Sequence, residues 1–107
     1  MKLIFAIVGS EDSGKVSSAL TKAGFSVTKL PTTAGFLMSR NTTFLIGTED
    51  DKVDEVIAVI GKHSKKRTQM VPASSSYGVG LYSSFPVEVT IGGATIFVTN
   101  IERFEKL

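Results

Sequence analysis

Two stretches of helical periodicity, separated by two strand-like runs rather than one, constrain this chain more than any other feature. From Ser10 to Ala23, the residues Val16, Ala19, Leu20 and Ala23 recur at i, i+3, i+4 and i+7, the spacing of one buried helix face. Ser10 or Asp12 is placed to cap the first turn, and Gly24 stands where a left-handed glycine ends a helix. The second helix opens at Thr48-Glu49-Asp50-Asp51, carries the stripe Val53, Val56, Ile57 and Ile60, and closes with Lys62, Lys65, Lys66 and Arg67. Acids at its start and bases at its end complement the helix dipole. Ahead of the first helix, Leu3–Val8 is an apolar run bounded by Gly9, the pattern of a central strand. Between the helices lie Phe25–Leu30, ended by Pro31, and Thr42–Gly47. After them, Val87–Ile91 alternates as a strand with one wet face. Gly92-Gly93 reads as a two-residue hairpin turn, and Ala94–Thr99 returns as a further strand. Ile101–Leu107 is a short tail, expected as one helical turn with Ile101 and Phe104 on one side.

The order is strand, helix, strand, strand, helix, strand, strand. Its first six elements match the split βαβ unit of a ferredoxin-like fold. The expected class is α+β: βαββαβ plus an extra C-terminal strand, an antiparallel sheet with two helices on one face. The other face of such a sheet is left without a cover, and packing those faces together in a symmetric oligomer is the simplest solution. With 107 residues, 1–107 is expected to form a single domain, with a long loop at 68–86 inside it.

The apolar share of 42% and the charged share of 21% belong to the soluble globular class. A formal net charge of +2 is too small to argue for DNA or RNA. There is no cysteine, which removes disulfides, thiolate catalysis and cysteine metal sites. The N-terminal apolar run is too short for a secretion signal, and no run reaches transmembrane length, so the expected location is cytoplasmic, with no membrane partner.

Gly9-Ser10-Glu11-Asp12-Ser13-Gly14-Lys15 matches most of a phosphate-binding loop, but Val16 stands where a magnesium-binding hydroxyl is required. Glu11 and Asp12 would repel the phosphates, and a polar turn opening a helix is the better reading. His63 lies late in a helix among Lys62, Lys65 and Lys66, which disfavours a metal ion or a general base there. The acids from Glu49 to Glu55 match no calcium loop. No nucleophile–base pair is visible, so neither a catalytic nor a metal site is expected, and no cofactor.

Two loops stand apart. Thr28–Thr43 is longer than a turn requires and dense in hydroxyls. Gly35 allows close backbone approach, Phe36 offers a ring for stacking on a base, and the Asn41 amide can read a base edge or a phosphate. Phe36 and Leu37 read equally well as packing into a neighbouring subunit. Thr68–Pro86 lacks clear periodicity and holds Tyr77, Tyr82 and Phe85.

At these residues the chain resembles a known family. Thr28-Lys29-Leu30, Thr32-Thr33-Ala34-Gly35-Phe36-Leu37, Asn41-Thr42-Thr43-Phe44-Leu45-Ile46-Gly47 and Asp51-Lys52-Val53-Asp54-Glu55-Val56 resemble the PII-like cyclic di-AMP receptor proteins of Gram-positive bacteria. So do Pro86-Val87-Glu88-Val89 and Gly92-Gly93-Ala94-Thr95-Ile96-Phe97-Val98. The resemblance implies a non-catalytic signal-transduction homotrimer that binds cyclic di-AMP at the clefts between its subunits and passes the signal to a downstream protein. It implies hydrogen bonds from Thr28 and Asn41, contacts from Gly35, Phe36 and Leu37, close approach at Gly47, and a contribution from Phe97. Two positions depart from the family pattern: Ser26 stands where a basic residue is frequent, and Ala34 replaces the first glycine of a Gly-Gly-Phe-Leu motif. Arg40 is placed to supply part of the missing charge. The departures keep open a second reading, a PII-like trimer that binds another nucleotide or a protein partner only.

Overall fold

The computed structural model describes residues 1–33, 40–72 and 86–107. Strand β1 (Lys2–Gly9) is central in a four-stranded antiparallel sheet, with β3 (Arg40–Thr48) on one side and β6 (Ala94–Asn100) on the other; β2 (Val27–Thr33) lies outside β3. A second, two-stranded sheet pairs β4 (Arg67–Pro72) with β5 (Pro86–Ile91). Helices α1 (Ser10–Lys22) and α2 (Val53–His63) complete the α+β architecture, a ferredoxin-like, PII-like fold.

Alternation along the strands decides which face is covered. Ile4, Ala6 and Val8 of β1 are buried, as are Phe44 and Ile46 of β3, and they pack with Val16 and Leu20 of α1 and Val56 and Ile60 of α2. Successive strand residues point to opposite faces, so Leu3, Phe5, Ile7, Thr43 and Leu45 face away from the helices and are only half-buried. The second helix departs from its expected stripe: Val59 packs against the core, whereas Ile57 is 37% exposed.

Helix α1 stops as its glycine predicts. Gly24 has φ +92°, its N–H donates to the Thr21 carbonyl, and the Phe25 N–H donates to the Leu20 carbonyl. This pair of bonds closes a Schellman turn. At the other end the cap is Gly9, with no side-chain hydrogen bond. Asp12 is instead turned inward and salt-bridged, as described below. A short 3₁₀ turn, Asp50–Lys52, precedes α2.

Three expectations about the strands change. β2 continues through Pro31 to Thr33, which an edge strand tolerates because it can leave the missing N–H unpaired. Arg67–Pro72, read as the end of a helix and the start of a loop, is a strand. Gly92-Gly93 is not the turn of a hairpin: β5 and β6 belong to different sheets. The fourth strand of the main sheet is therefore β6 rather than Val87–Ile91, and the extra pairing is the β4–β5 ribbon inserted before it. The tail after Asn100 carries no helical turn, and its Ile101 N–H donates to the Met1 carbonyl.

Candidate functional site

The face of the sheet away from the helices carries most of the chemistry expected of a site. Register sets its rows. Thr28 lies opposite Leu45, Leu45 opposite Phe5, and Phe5 opposite Phe97, so these four form one transverse row across β2, β3, β1 and β6. The next row is Leu30, Thr43, Ile7 and Thr95. Leu30 is 43% exposed and Phe97 58% exposed, leaving an apolar band rimmed by hydroxyls.

At one end of this face a cleft of about 510 Å³ opens between the sheet and the ribbon. Gly9, Asn41 and Thr95 line it from the sheet; Thr90, Ile91 and the Gly92-Gly93 junction form the opposite wall. Arg40 and Lys66 bring positive charge and Glu11 negative charge. The two cations suit an anionic group such as a phosphate, and the half-exposed Asn41 amide adds a neutral hydrogen-bonding group.

The root of the ribbon is pinned to α1. Arg67 Nη2 donates to Asp12 Oδ1 at 2.9 Å and Nη1 to Oδ2 at 3.3 Å. Asp12 is 3% exposed, and this hydrogen-bonded carboxylate raises the guanidinium pKa further above its ordinary value. The Gly93 N–H donates to the Ser64 carbonyl.

A family model described as the cyclic-di-AMP receptor matches residues 1–107. The chain belongs to the cyclic-di-AMP receptor family. This receptor-family chain is also similar, at 37% identity and a TM-score of 0.79, to the crystal structure of a functionally unknown protein from Pediococcus pentosaceus. The match covers 99% of the receptor-family chain and 96% of the other.

Within it, the expected site residues fall into three groups. Thr28 and Gly47 are diagonal neighbours on β2 and β3, since Thr28 faces Leu45. Asn41 lies four residues along β3 from Leu45, inside the cleft. Phe97 lies on the opposite edge strand. All four share the face away from the helices, but Thr28, Gly47 and Phe97 do not line the cleft that holds Asn41. Gly35, Phe36 and Leu37 lie outside the described residues, as do Tyr77, Tyr82 and Phe85. A Cβ at Gly47 would make only ordinary contacts with Met1 and Ile101, 3.9 and 4.0 Å away. Packing within the chain therefore does not require glycine there.

Sequence reasoning missed Lys66, Thr90 and the glycine junction as cleft residues. The Gly-Gly pair was the available signal, because a backbone forced to positive φ often marks a junction as well as a turn. His63 lies in a shallow groove beside Lys15 and Lys22 of α1. Among the described residues no cluster of metal-ligating side chains occurs, and no helix is long and apolar enough to cross a membrane.

Proposed function

We propose that the chain is a non-catalytic cyclic di-AMP sensor that works as a homotrimer and binds its ligand between subunits. One observation carries the reading: Thr28 and Phe97 occupy one row of the uncovered face but sit on opposite edge strands. Adjacent strands are spaced by about 4.8 Å, so the two residues are roughly 14 Å apart within one chain. Assembly from neighbouring subunits brings such edges together and covers the apolar band that includes Phe5, Leu45 and Phe97. In that setting Thr28 and Asn41 hydrogen-bond the ligand, Phe97 packs on a base, and Gly47 lets the ligand approach the strand. Arg40 and Lys66 balance phosphate charge. Gly35, Phe36 and Leu37 take the base and phosphate contacts that the family resemblance implies. The whole of 1–107 serves as one PII-like domain acting in the cytoplasm, and a downstream protein reads the bound state.

Calorimetric titration with cyclic di-AMP, using cyclic di-GMP and ATP as controls, tests the ligand. The expected result is selective binding of cyclic di-AMP at about one ligand per subunit, weakened about tenfold in Asn41→Ala, which corresponds to about 1.4 kcal/mol for a lost polar contact. No heat and no thermal shift with cyclic di-AMP would overturn the reading. ATP binding in its place would favour the second reading, to which Ser26 and Ala34 point.

Sedimentation velocity tests the assembly. The wild type is expected to sediment as three chains. Phe97→Asp is expected to sediment as one, because a carboxylate on the apolar band resists desolvation. A mass unchanged by the substitution would remove Phe97 from the interface.

A further inference from the structure

The β4–β5 ribbon belongs to a different sheet from β1 and β6, yet its root forms one wall of the cleft. Contacts at that root tie it to the rest of the fold. Three converge there. Arg67 places both Nη atoms on the buried Asp12 carboxylate. Arg67 Nη1 also donates to the Lys65 carbonyl at 2.9 Å. That carbonyl lies so close to Gly92 that a Cβ would come within 2.2 Å of its oxygen. The neighbouring Gly93 N–H bonds to the Ser64 carbonyl. Arg67 stands between the cleft residue Lys66 in sequence and the cleft residue Ile91 across the ribbon.

We propose that Asp12 and Arg67 are positioning residues for ligand binding: their two-pronged ion pair sets the root of the β4–β5 ribbon and thereby holds Lys66 and Ile91 at working distance from Asn41. The planar guanidinium fork fixes an angle as well as a distance, which a single ammonium cannot do. Neither side chain touches the ligand in this scheme. The identity of the ligand rests on the cyclic di-AMP reading above; the coupling between ion pair and ribbon does not.

Three variants, Asp12→Asn, Arg67→Gln and Arg67→Lys, are compared with wild type by cyclic di-AMP titration and by hydrogen exchange of individual amides. In Asp12→Asn and Arg67→Gln, affinity is expected to fall on the order of tenfold, in the range of couplings transmitted through packed networks. Exchange at the Gly93 amide rises in the same variants, while the Ala6 amide in the central strand keeps its protection. Arg67→Lys, which keeps the charge and loses the fork, falls between these variants and wild type. Affinity within twofold of wild type, in variants whose Gly93 amide has lost protection, would make the pair structural only and overturn the proposal. Unchanged Gly93 protection would overturn it as well. Failure of the wild type to bind cyclic di-AMP would count against the ligand reading alone, and Gly93 exchange would still decide the coupling.

Discussion

Phe44→Ala is expected to lower the stability of the chain by about 4 kcal/mol, within the range for deleting a buried phenyl ring. Phe44 is fully buried on β3 and faces Ala6 across the pair with β1. Ala6 carries only a methyl group, so the ring leaves a cavity that its strand neighbour cannot fill. Against a total of roughly 5–15 kcal/mol for a domain, this leaves a marginal fold. Leu45→Ala, one residue along on the half-buried face, is expected to cost about 1 kcal/mol in the dissociated chain, because less apolar area returns to water there. Urea unfolding at a fixed chain concentration measures both, since association adds to apparent stability. Equal losses at Phe44 and Leu45 would show that the covered face is not where the stability resides.

The second large effect is expected at Gly92. Its φ is +84°, which costs a residue with a side chain about 1–2 kcal/mol, and a Cβ would meet the Lys65 carbonyl oxygen at 2.2 Å. Backbone rather than a flexible side chain must then yield, so Gly92→Ala is expected to cost about 3 kcal/mol. Gly93 shares the dihedral, at φ +83°, but its nearest neighbour would be 4.0 Å away. Gly93→Ala is therefore expected to cost only the strain, about 1 kcal/mol. Gly47→Ala meets neither penalty in the chain and should leave unfolding within about 0.5 kcal/mol of wild type. Urea midpoints for the three variants check the order, which would be wrong if Gly93 proved as costly as Gly92.

The elements that bury a face were legible in the sequence. Leu3–Val8 and Thr42–Gly47 declared themselves because a sheet that packs under helices must be apolar there, and Gly24 marked the end of α1. Arg67–Pro72 gave no signal for a physical reason. Its ribbon partner is a single strand, Met70 is 58% exposed, and Arg67, Thr68 and Gln69 are exposed too. With no buried side chain from Arg67 to Met70, that stretch has no alternation to show, and periodicity falls silent. The Gly-Gly pair reads as a two-residue hairpin turn and is not one; what it shares with such a turn is positive φ at both residues. What the sequence withheld was the partner, because β5 pairs backward with β4 rather than forward with β6. Candidate site residues are picked out in the sequence by their chemistry and the family resemblance. That Thr28, Asn41, Gly47 and Phe97 share one face follows only from the register, and the role of Lys66 as a cleft wall only from the ribbon's position.

Strand β3 interleaves two inventories at alternate positions. Thr42, Phe44, Ile46 and Thr48 sit under the helices, while Asn41, Thr43, Leu45 and Gly47 form the open side. Point changes in the second inventory leave the first untouched, so the chemistry of the open side can change through ordinary substitutions without refolding the molecule. A one-residue insertion or deletion inside β3 is a different kind of event, because it exchanges the two inventories downstream of it. A length change therefore costs more inside this strand than in the connections on either side of it.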